Sequence, residues 1–352
     1  MSESVKLDVI VIGAGQAGLA LGYYLKQSNL SFLLLDQNSQ IGETWVKRYD
    51  SLILFSPRKY SSLPGFPFPG EPNGYPNKNE TADYLKQYQK QFSIPVKLNT
   101  KVTQLTKETD RFITVTNDKT YHSKIVVIAT GPFQIPFIPK LNDSGLDEQI
   151  IQLHSSQYKN PEQLNKGKTL IVGAGNSGAQ IAVELHNTHD VYLSTSQKLK
   201  FSPHKFAGKS VFWWFETLKI YDVFRSGTKF GEWIKKQPEP IMGTELKELI
   251  QHNKVKLTAK TTSINGNEVT FEDGKTLTVD NIIWATGFTQ NFEWIKINNV
   301  INQKGNPLHK RGVSSVPGLF FIGLPWLHKR PSALLGGVGE DAEYIVSSLK
   351  SM

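Results

Sequence analysis

The sequence predicts an α/β fold with two Rossmann-like dinucleotide-binding domains. Two glycine-rich loops support this: residues 13–18 read Gly-Ala-Gly-Gln-Ala-Gly and residues 173–178 read Gly-Ala-Gly-Asn-Ser-Gly, each after a short apolar run. Each loop opens a helical pattern, which we expect over Leu19 to Gln27 and over Ala179 to His186. A third observation is a repeated strand end, because residues 124–131 and 280–287 both close with Ala-Thr-Gly.

The glycines of these loops have separate functions. The first permits a tight turn, the second lets a pyrophosphate approach the backbone, and the third lets the helix pack on the strand. The free amides and the helix dipole then hold the phosphates. Two such loops in one chain predict two bound dinucleotides and a redox function.

The end of the following strand distinguishes the two expected ligands. Phe32 to Leu35 is followed by Asp36, a carboxylate that can accept hydrogen bonds from an unphosphorylated ribose, as in the adenosine half of FAD or NAD. After Val191 to Leu193 no carboxylate follows, and Ser196 and Lys198 stand where a 2′-phosphate would lie. This favours NADPH over NADH at the second loop, although the absence of an arginine fork leaves NADH as an alternative.

The repeated Ala-Thr-Gly ends suggest that one domain is inserted into the other. We expect an FAD-binding domain over residues 1–158 and 288–352, and an NAD(P)-binding domain over residues 159–287. The second contains an aromatic insert, residues 203–241, with the cluster Phe212 to Phe215. The insert could line a substrate cavity, meet a partner subunit, touch a membrane or fill a core, and core filling is the commonest use of aromatic residues.

Composition excludes several functions. The chain has 352 residues, a formal net charge of +9 and no cysteine, so it cannot carry the dithiol relay of disulfide reductases or a thiolate metal site. Its basic residues are scattered, so no nucleic-acid partner is expected. No run of about 18 apolar residues and no signal peptide is evident, which predicts a cytoplasmic protein without a membrane span.

The chain resembles the class B flavin-dependent monooxygenases, most closely small bacterial CzcO-like, cation-efflux-associated flavoproteins. The resemblance rests on the first glycine loop, residues 41–45 and 49–52 with the proline loop that follows, both Ala-Thr-Gly turns, residues 175–180, and the closing segments 319–323 and 332–339. Of the family fingerprint before the second loop only His154 and Tyr158 match. The implied architecture is a glutathione-reductase-like FAD domain with an inserted NADP domain.

The resemblance and the loops together imply the binding residues. For FAD they are Gly13, Gly15, Gln16, Ala17, Gly18, Asp36, Gln37, Gly42, Trp45, Val102, Thr130, Gly131, Gly323 and Leu335. For the pyridine nucleotide they are Gly173, Gly175, Asn176, Ser177, Gly178, Gln180, Ser196, Lys198, Thr286 and Gly287. No metal is expected.

The implied activity is oxygenation of a small molecule. NADPH would reduce the FAD, dioxygen would add to give a C4a-hydroperoxyflavin, and a soft sulfur or nitrogen nucleophile would take the distal oxygen. Tyr158, where Baeyer-Villiger relatives carry tryptophan, favours a heteroatom substrate. Candidates for the catalytic pocket are Phe55, Trp326 and Asn176, and Phe55 replaces an asparagine that many relatives place beside the flavin.

Two other functions remain open. One is an NAD(P)H-dependent flavoprotein reductase or oxidase that forms peroxide or reduces another acceptor, and the loss of the asparagine at Phe55 favours peroxide leakage. The other is a regulatory flavoprotein that serves a transporter. A homodimer is also open, since exposed aromatic residues in the insert would favour self-association.

Overall fold

The computed structural model describes residues 5–350. Its strands are β1 Val5–Ile12, β2 Phe32–Leu35, β3 Val96–Lys97, β4 Val102–Lys107, β5 Phe112–Thr116, β6 Thr120–Ile128, β7 Ile135–Pro136, β8 Asn142–Leu146, β9 Ile151–His154, β10 Lys168–Val172, β11 Asp190–Ser194, β12 Phe201–Ser202, β13 Lys205–Phe206, β14 Lys209–Ser210, β15 Ile241–Met242, β16 Val255–Thr258, β17 Thr261–Gly266, β18 Glu268–Phe271, β19 Thr276–Thr278, β20 Asn281–Trp284, β21 Phe288–Thr289, β22 His309–Lys310, β23 Val313–Ser314 and β24 Leu319–Phe321. Its α-helices are α1 Gln16–Leu25, α2 Glu43–Val46, α3 Lys78–Gln91, α4 Asn176–Leu185, α5 Val211–Thr217, α6 Ile220–Val223, α7 Lys229–Lys235, α8 Glu245–Gln251 and α9 Val338–Lys350. Short 3-10 helices cover Arg58–Tyr60, Pro161–Gln163 and Arg330–Ala333.

A nine-stranded sheet holds the first glycine loop. Its order is β22-β23-β24-β6-β1-β2-β3, and β5 and β4 continue antiparallel from β6. The central strands β24, β6, β1, β2 and β3 are parallel. Val9 to Ile12 in β1 are at most 5% exposed. This burial explains the continuous β-branched apolar run, which is typical of a parallel strand covered on both faces.

A five-stranded parallel sheet holds the second glycine loop. Its order is β16-β11-β10-β20-β9, with β10 at its centre. Thr169 to Val172 and the whole of β20 are buried. The neighbours of β10 correspond to those of β1, since each central strand lies between the strand that follows its helix and the strand that ends in Ala-Thr-Gly. The predicted α/β fold with two Rossmann-like units is therefore confirmed.

Both nucleotide-loop helices begin earlier than the sequence pattern predicted. α1 begins at Gln16 and α4 at Asn176, each directly after the second glycine of its loop. The first turns consist of small or polar residues, such as Gln16 to Gly18 in α1, which give no apolar periodicity even where they are buried. The amides of each first turn point toward the expected phosphate positions.

The two units are joined by a pair of crossing connections. β7, just after the first Ala-Thr-Gly turn, pairs antiparallel with β21, just after the second. Strands of the nine-stranded sheet come from residues 5–128 and 309–321, and those of the five-stranded sheet from residues 151–284. The predicted domain boundaries, 1–158 and 288–352 against 159–287, stay a prediction.

Candidate functional site

The main cleft lies at the carboxyl edge of the nine-stranded sheet. Its volume is about 460 Å³. Of the residues predicted to bind FAD, the cleft is lined by Gly13, Gly15, Gln16, Ala17, Asp36, Gln37, Gly42, Trp45, Val102, Thr130, Gly131 and Gly323. The edge where the connections of a parallel sheet diverge is the usual ligand site of this architecture.

The first glycine loop leaves space for a ligand rather than for a side chain. Gly13 has φ +109°, and a Cβ there would lie 2.6 Å from the carbonyl oxygen of Ala129. A Cβ at Gly18 would lie 2.0 Å from the oxygen of Gly13, so these two glycines allow the loop, helix and neighbouring strand to pack. A Cβ at Gly15 would meet no protein atom within 4 Å. The loop is therefore an open cradle that fits a pyrophosphate.

Asp36 holds this cradle in place from the end of β2. Its Oδ2 accepts a hydrogen bond from the backbone amide of Ala14 at 2.6 Å, and its Oδ1 accepts two from Asn38 at 2.8 Å. The carboxylate still lines the cleft, so its position agrees with the predicted ribose contact.

Gly18 and Leu335, two further predicted FAD residues, do not line the cleft. Gly18 lies in α1, where its role is the close helix packing described above. Leu335 is 4% exposed and belongs to the core that α9 shares with α1. The segment before it nevertheless reaches the first loop, because Gln16 Nε2 donates to the carbonyl of Ala333 at 3.3 Å.

The second glycine loop repeats the geometry of the first. Gly173 has φ +103° and its Cβ would lie 2.5 Å from the oxygen of Ala285, while a Cβ at Gly178 would lie 2.0 Å from the oxygen of Gly173. A Cβ at Gly175 would again meet nothing within 4 Å. The loop thus offers the same open cradle for a second pyrophosphate.

The other residues predicted for the pyridine nucleotide follow the two strands that flank β10 in the sheet, β11 and β20. Ser196 and Lys198 are exposed in the turn after β11, where a 2′-phosphate could reach them from solvent. Thr286 donates its hydroxyl hydrogen to the carbonyl of Phe137, and Gly287 accepts from the amide of Phe137 at 3.0 Å. Thr286 and Gly287 therefore support the crossing connection as it leaves the second sheet.

Gln180 links the second loop to the first unit. From the second turn of α4, its Nε2 donates to the carbonyl of Ile53 at 2.9 Å, and its Oε1 accepts from Tyr49 Oη at 3.1 Å and from the Ile53 amide at 3.4 Å. Tyr49 is buried, and this burial raises the pKa of its phenol to about 12. Because all these contacts are with residues 49–53, Gln180 joins the two nucleotide-binding units.

A cationic side chain lies between the two Ala-Thr-Gly turns. The Arg48 guanidinium carbon lies 5.1 Å from the ring centre of Phe133 and 4.9 Å from that of Phe288, and burial lowers the pKa of the group. Among the described residues no carboxylate forms an ion pair with it. Arg48 was not predicted from the sequence, because a single arginine before Tyr49 carries no spacing signal.

His154, one of the two matching fingerprint residues, is buried beside Phe288, with the two ring centres 5.0 Å apart. Its Nε2 lies 2.9 Å from the oxygen of Gly287 and its Nδ1 lies 2.8 Å from Ser156 Oγ. Burial lowers the pKa of its imidazole, so the ring is neutral near pH 7. Tyr158, the other match, donates to Glu184 Oε2 in α4 at 2.8 Å.

The three candidates for the catalytic pocket do not line the main cleft. Phe55 stacks on Phe212 of the aromatic insert with ring centres 6.3 Å apart. Trp326 lines a second cavity next to the insert, and Asn176 Oδ1 accepts from the amide of Met242 at 2.9 Å. The structure thus brings Phe55 to the insert and places Trp326 apart from both glycine loops.

Several cleft residues were missed by sequence reasoning. Gln134 donates to Thr130 Oγ1 at 3.0 Å and accepts from the Asn291 amide at 2.9 Å, and both Gln134 and Asn291 line the cleft. Lys101 and Trp294 line it as well. Lys101 directly precedes the predicted Val102, which is the only local signal; Asn291 and Trp294 return from a distant part of the chain.

The described part of the chain contains no group of three or more His, Cys, Asp or Glu side chains arranged to hold a metal ion. None of its helices has the length and apolar character needed to cross a membrane.

Comparisons with known proteins agree with this geometry. The family model described as pyridine nucleotide-disulphide oxidoreductase matches residues 10–210. The CzcO-like oxidoreductase of Geobacillus kaustophilus is 52% identical over 97% of this chain and 98% of its own length. The probable indole-3-pyruvate monooxygenase YUCCA7 of Arabidopsis thaliana is 30% identical over 89% of this chain and 82% of its own. The solved flavin-containing monooxygenase from Stenotrophomonas maltophilia has a TM-score of 0.82, 26% identity and 99% coverage of both chains.

Two glycine cradles, each after a strand with parallel neighbours in its own sheet, are linked through Gln180 and define an oxidoreductase that uses a flavin and a pyridine nucleotide. The chain has no cysteine, so the disulphide chemistry in the name of the matching family model is not open to it. It belongs to the pyridine nucleotide-disulphide oxidoreductase family and, within it, to the class B flavin-dependent monooxygenases with the CzcO-like oxidoreductases. The cofactors of these enzymes are FAD and NADPH.

Proposed function

We propose that the chain is a monooxygenase that transfers one atom of dioxygen to a soft sulfur or nitrogen nucleophile of a small molecule. NADPH would supply two electrons as a hydride, which together with a proton would reduce the second oxygen atom to water. FAD held in the cleft would supply the oxygen-transfer chemistry as its C4a-hydroperoxide. The observation that carries the proposal is the pair of matching open cradles, which are held in one arrangement by Gln180.

We assign FAD to the 460 Å³ cleft. The amides of the Gly13 loop and the N-terminus of α1 would hold the pyrophosphate, and Asp36 the adenosine ribose. Trp45, Val102 and Trp294 offer apolar walls that would exclude water from the ring. Leu335 would act indirectly, by packing α9 beneath the site.

We assign NADPH to the second loop, residues 173–178. The first turn of α4 would hold its pyrophosphate, and Ser196 and Lys198 its 2′-phosphate. Gln180 would set the distance between the two cofactors, since it fixes α4 on the segment that follows Trp45. NADH remains the alternative donor.

The heteroatom preference rests on the tyrosine at position 158, where Baeyer-Villiger relatives carry tryptophan; Tyr158 itself is buried and donates to Glu184. The relative YUCCA7 is named for a small aromatic keto acid, which supports a small organic substrate. The homodimer, the cytoplasmic location and the domain boundaries stay predictions.

Product analysis with a simple thioether tests the oxygenase. Purified FAD-bound protein is mixed with NADPH, dioxygen and methyl phenyl sulfide, and NADPH loss, sulfoxide and hydrogen peroxide are measured together. We expect sulfoxide to account for most of the NADPH consumed. NADPH consumption that appears as peroxide alone, with and without the thioether, would contradict the proposal.

NADPH consumption that yields peroxide alone is expected of the competing function, a peroxide-forming NADPH oxidase or a reductase for another acceptor. One observation favours it: Phe55 has no polar group and is stacked on Phe212, so it cannot replace the asparagine of related enzymes. The third candidate, a regulatory flavoprotein for a transporter, predicts that NADPH fails to bleach the flavin within minutes.

A further inference from the structure

A second cavity lies between the aromatic insert and the loop that follows β24. Its volume is about 240 Å³. The side chains that matter for its chemistry are Lys200, Trp233, Lys235, Glu239, Trp326 and Arg330. An apolar cavity of about 150 Å³ can hold benzene, so this one has room for an aromatic ring with a short substituent.

The walls of this cavity are fixed by polar contacts between the insert and the loop. Lys329 forms ion pairs with Asp222 of the insert and with Glu340 of α9, both at 2.8 Å. The backbone adds a hydrogen bond from the Ser226 amide to the His328 carbonyl at 2.7 Å. The insert is consequently held against residues 326–330, and the cavity between them is part of the fold.

The lining combines aromatic faces with excess positive charge. Trp233 is 54% exposed although it is a large apolar side chain, and Trp326 has φ +57°, a conformation that costs energy for any residue with a side chain. The lining contains three cations, Lys200, Lys235 and Arg330, and one carboxylate, that of Glu239. Within residues 5–350 none of these three cations forms an ion pair. A ligand that carries an aromatic ring and a negative charge would satisfy both features.

The cavity is close to the proposed FAD site along the chain. Gly323 lines the main cleft and Trp326 lines the second cavity. Three residues span at most about 11 Å even when fully extended. The Cα atoms of Gly323 and Trp326 therefore lie within about 11 Å of each other, which places the two cavities on neighbouring parts of the loop that follows β24.

We propose that this cavity binds the substrate of the enzyme and that the substrate class is an aromatic carboxylate. The carboxylate would be recognised by Arg330 and Lys235, and the ring by Trp233 and Trp326. The inference that the ligand is a substrate rests on the proposed function, whereas the presence of the binding site can be tested by binding measurements alone.

The binding test uses the FAD-bound protein without NADPH. Phenylacetate and its neutral analogue phenylacetamide are titrated by calorimetry. We expect saturable binding of phenylacetate and binding of the amide that is about three- to tenfold weaker, because a charged hydrogen-bond partner is lost. Equal affinities, or no saturable binding of phenylacetate, would overturn the proposal.

Variants locate the site. Arg330→Gln and Lys235→Gln should each weaken phenylacetate binding about three- to tenfold and leave the amide unchanged. Lys236→Gln, on the next residue but outside the cavity lining, is the matched control and should bind like the parent. Trp233→Leu should weaken both compounds. Retained FAD absorbance and an unchanged melting temperature show that each variant is folded, and unchanged phenylacetate affinity in all three cavity variants would contradict the location.

Turnover separates this proposal from the proposed function. (Phenylthio)acetate carries ring, carboxylate and a soft sulfur, and we expect its sulfoxidation to have a higher kcat/KM than that of (phenylthio)acetamide. Arg330→Gln should remove that difference. Charge-dependent binding without any sulfoxide would leave the site standing and contradict the oxygenase, whereas sulfoxidation of both compounds at equal kcat/KM would contradict the substrate class.

Discussion

Gly15 and Gly175 are positions where the protein itself leaves room for a side chain. Their partners Gly13 and Gly173 are different, because positive φ and a nearby carbonyl oxygen forbid a Cβ. The sequence pattern treats all these glycines alike, and only the geometry separates those that the fold requires from those that a ligand requires. This difference permits experiments in which folding and cofactor binding are measured apart.

The first prediction concerns Gly13 and Gly15. Gly15→Val should give a folded protein with little FAD, because a Cβ at this position meets no atom of a more distant residue within 4 Å and the side chain would occupy the cleft. Gly13→Val should lose FAD and also stability, since a side chain at φ +109° meets Ala129. Flavin absorbance per protein and the melting temperature measure the two effects. A Gly15→Val protein that keeps its yellow colour would contradict the placement of FAD in this cleft.

The second prediction concerns coenzyme choice. Lys198→Ala should raise the KM for NADPH about three- to tenfold and leave the KM for NADH nearly unchanged, because only NADPH carries the 2′-phosphate. Lys254→Ala, an exposed lysine beside β16 in the same sheet, is the control. Equal effects of Lys198→Ala on both coenzymes would remove the assignment of Lys198.

At the scale of elements, α4 has two functions. Its N-terminus closes the second cradle, and one turn later Gln180 reaches residues 49–53 of the other unit. The side chain that motif reasoning assigned to the coenzyme is therefore already engaged with protein. With NADPH at the N-terminus of α4 as proposed, the contact of the same helix with the neighbouring unit would couple coenzyme position to the flavin site.

The third prediction tests this coupling. Gln180→Met removes three hydrogen bonds at similar volume and should lower the free energy of unfolding by about 1–3 kcal/mol. It should also slow flavin reduction by NADPH, while chemical reduction by dithionite stays at the parent rate. Gln104→Met, a change at an exposed position in β4, serves as the control. NADPH reduction at the parent rate would show that the link has no role in cofactor alignment.

At the scale of the molecule, stability should depend on one buried acid near the start of α9. Asp341 is 2% exposed, its Oδ1 lies 3.9 Å from Arg311 Nε, and burial raises its pKa to about 6. Because the pKa is higher in the folded than in the unfolded chain, the folded state binds the proton more tightly. The contribution of Asp341 is therefore most favourable below about pH 4 and is lost as the pH rises through 6.

The fourth prediction follows from that sign. Asp341→Asn should be more stable than the parent above pH 6, by at most about 3 kcal/mol, and the difference should vanish toward pH 4. Comparing unfolding free energies of the two proteins across this range cancels the titration of all other groups. A difference that is independent of pH would show that Asp341 titrates at its ordinary pKa.

The sequence alone determined the fold class, both cradles and twelve of the residues that line the main cleft. These features are local: a β-branched run, a glycine spacing and a carboxylate at the next strand end lie within a few tens of residues, and each is required by the same short-range geometry. Asp36 and Thr130 were found in this way because strand ends of a parallel sheet converge on one edge, whereas Gly323 was implied by the family resemblance.

Tertiary structure decided the contacts between distant segments. Gln134 meets Asn291, Gln180 meets Ile53, and Trp326 faces the insert rather than the glycine loops. No periodicity links such positions, because their meeting depends on how two complete sheets and an insert pack. The chain thus encodes its cofactor cradles locally, whereas the space left for a substrate exists only after the units have come together.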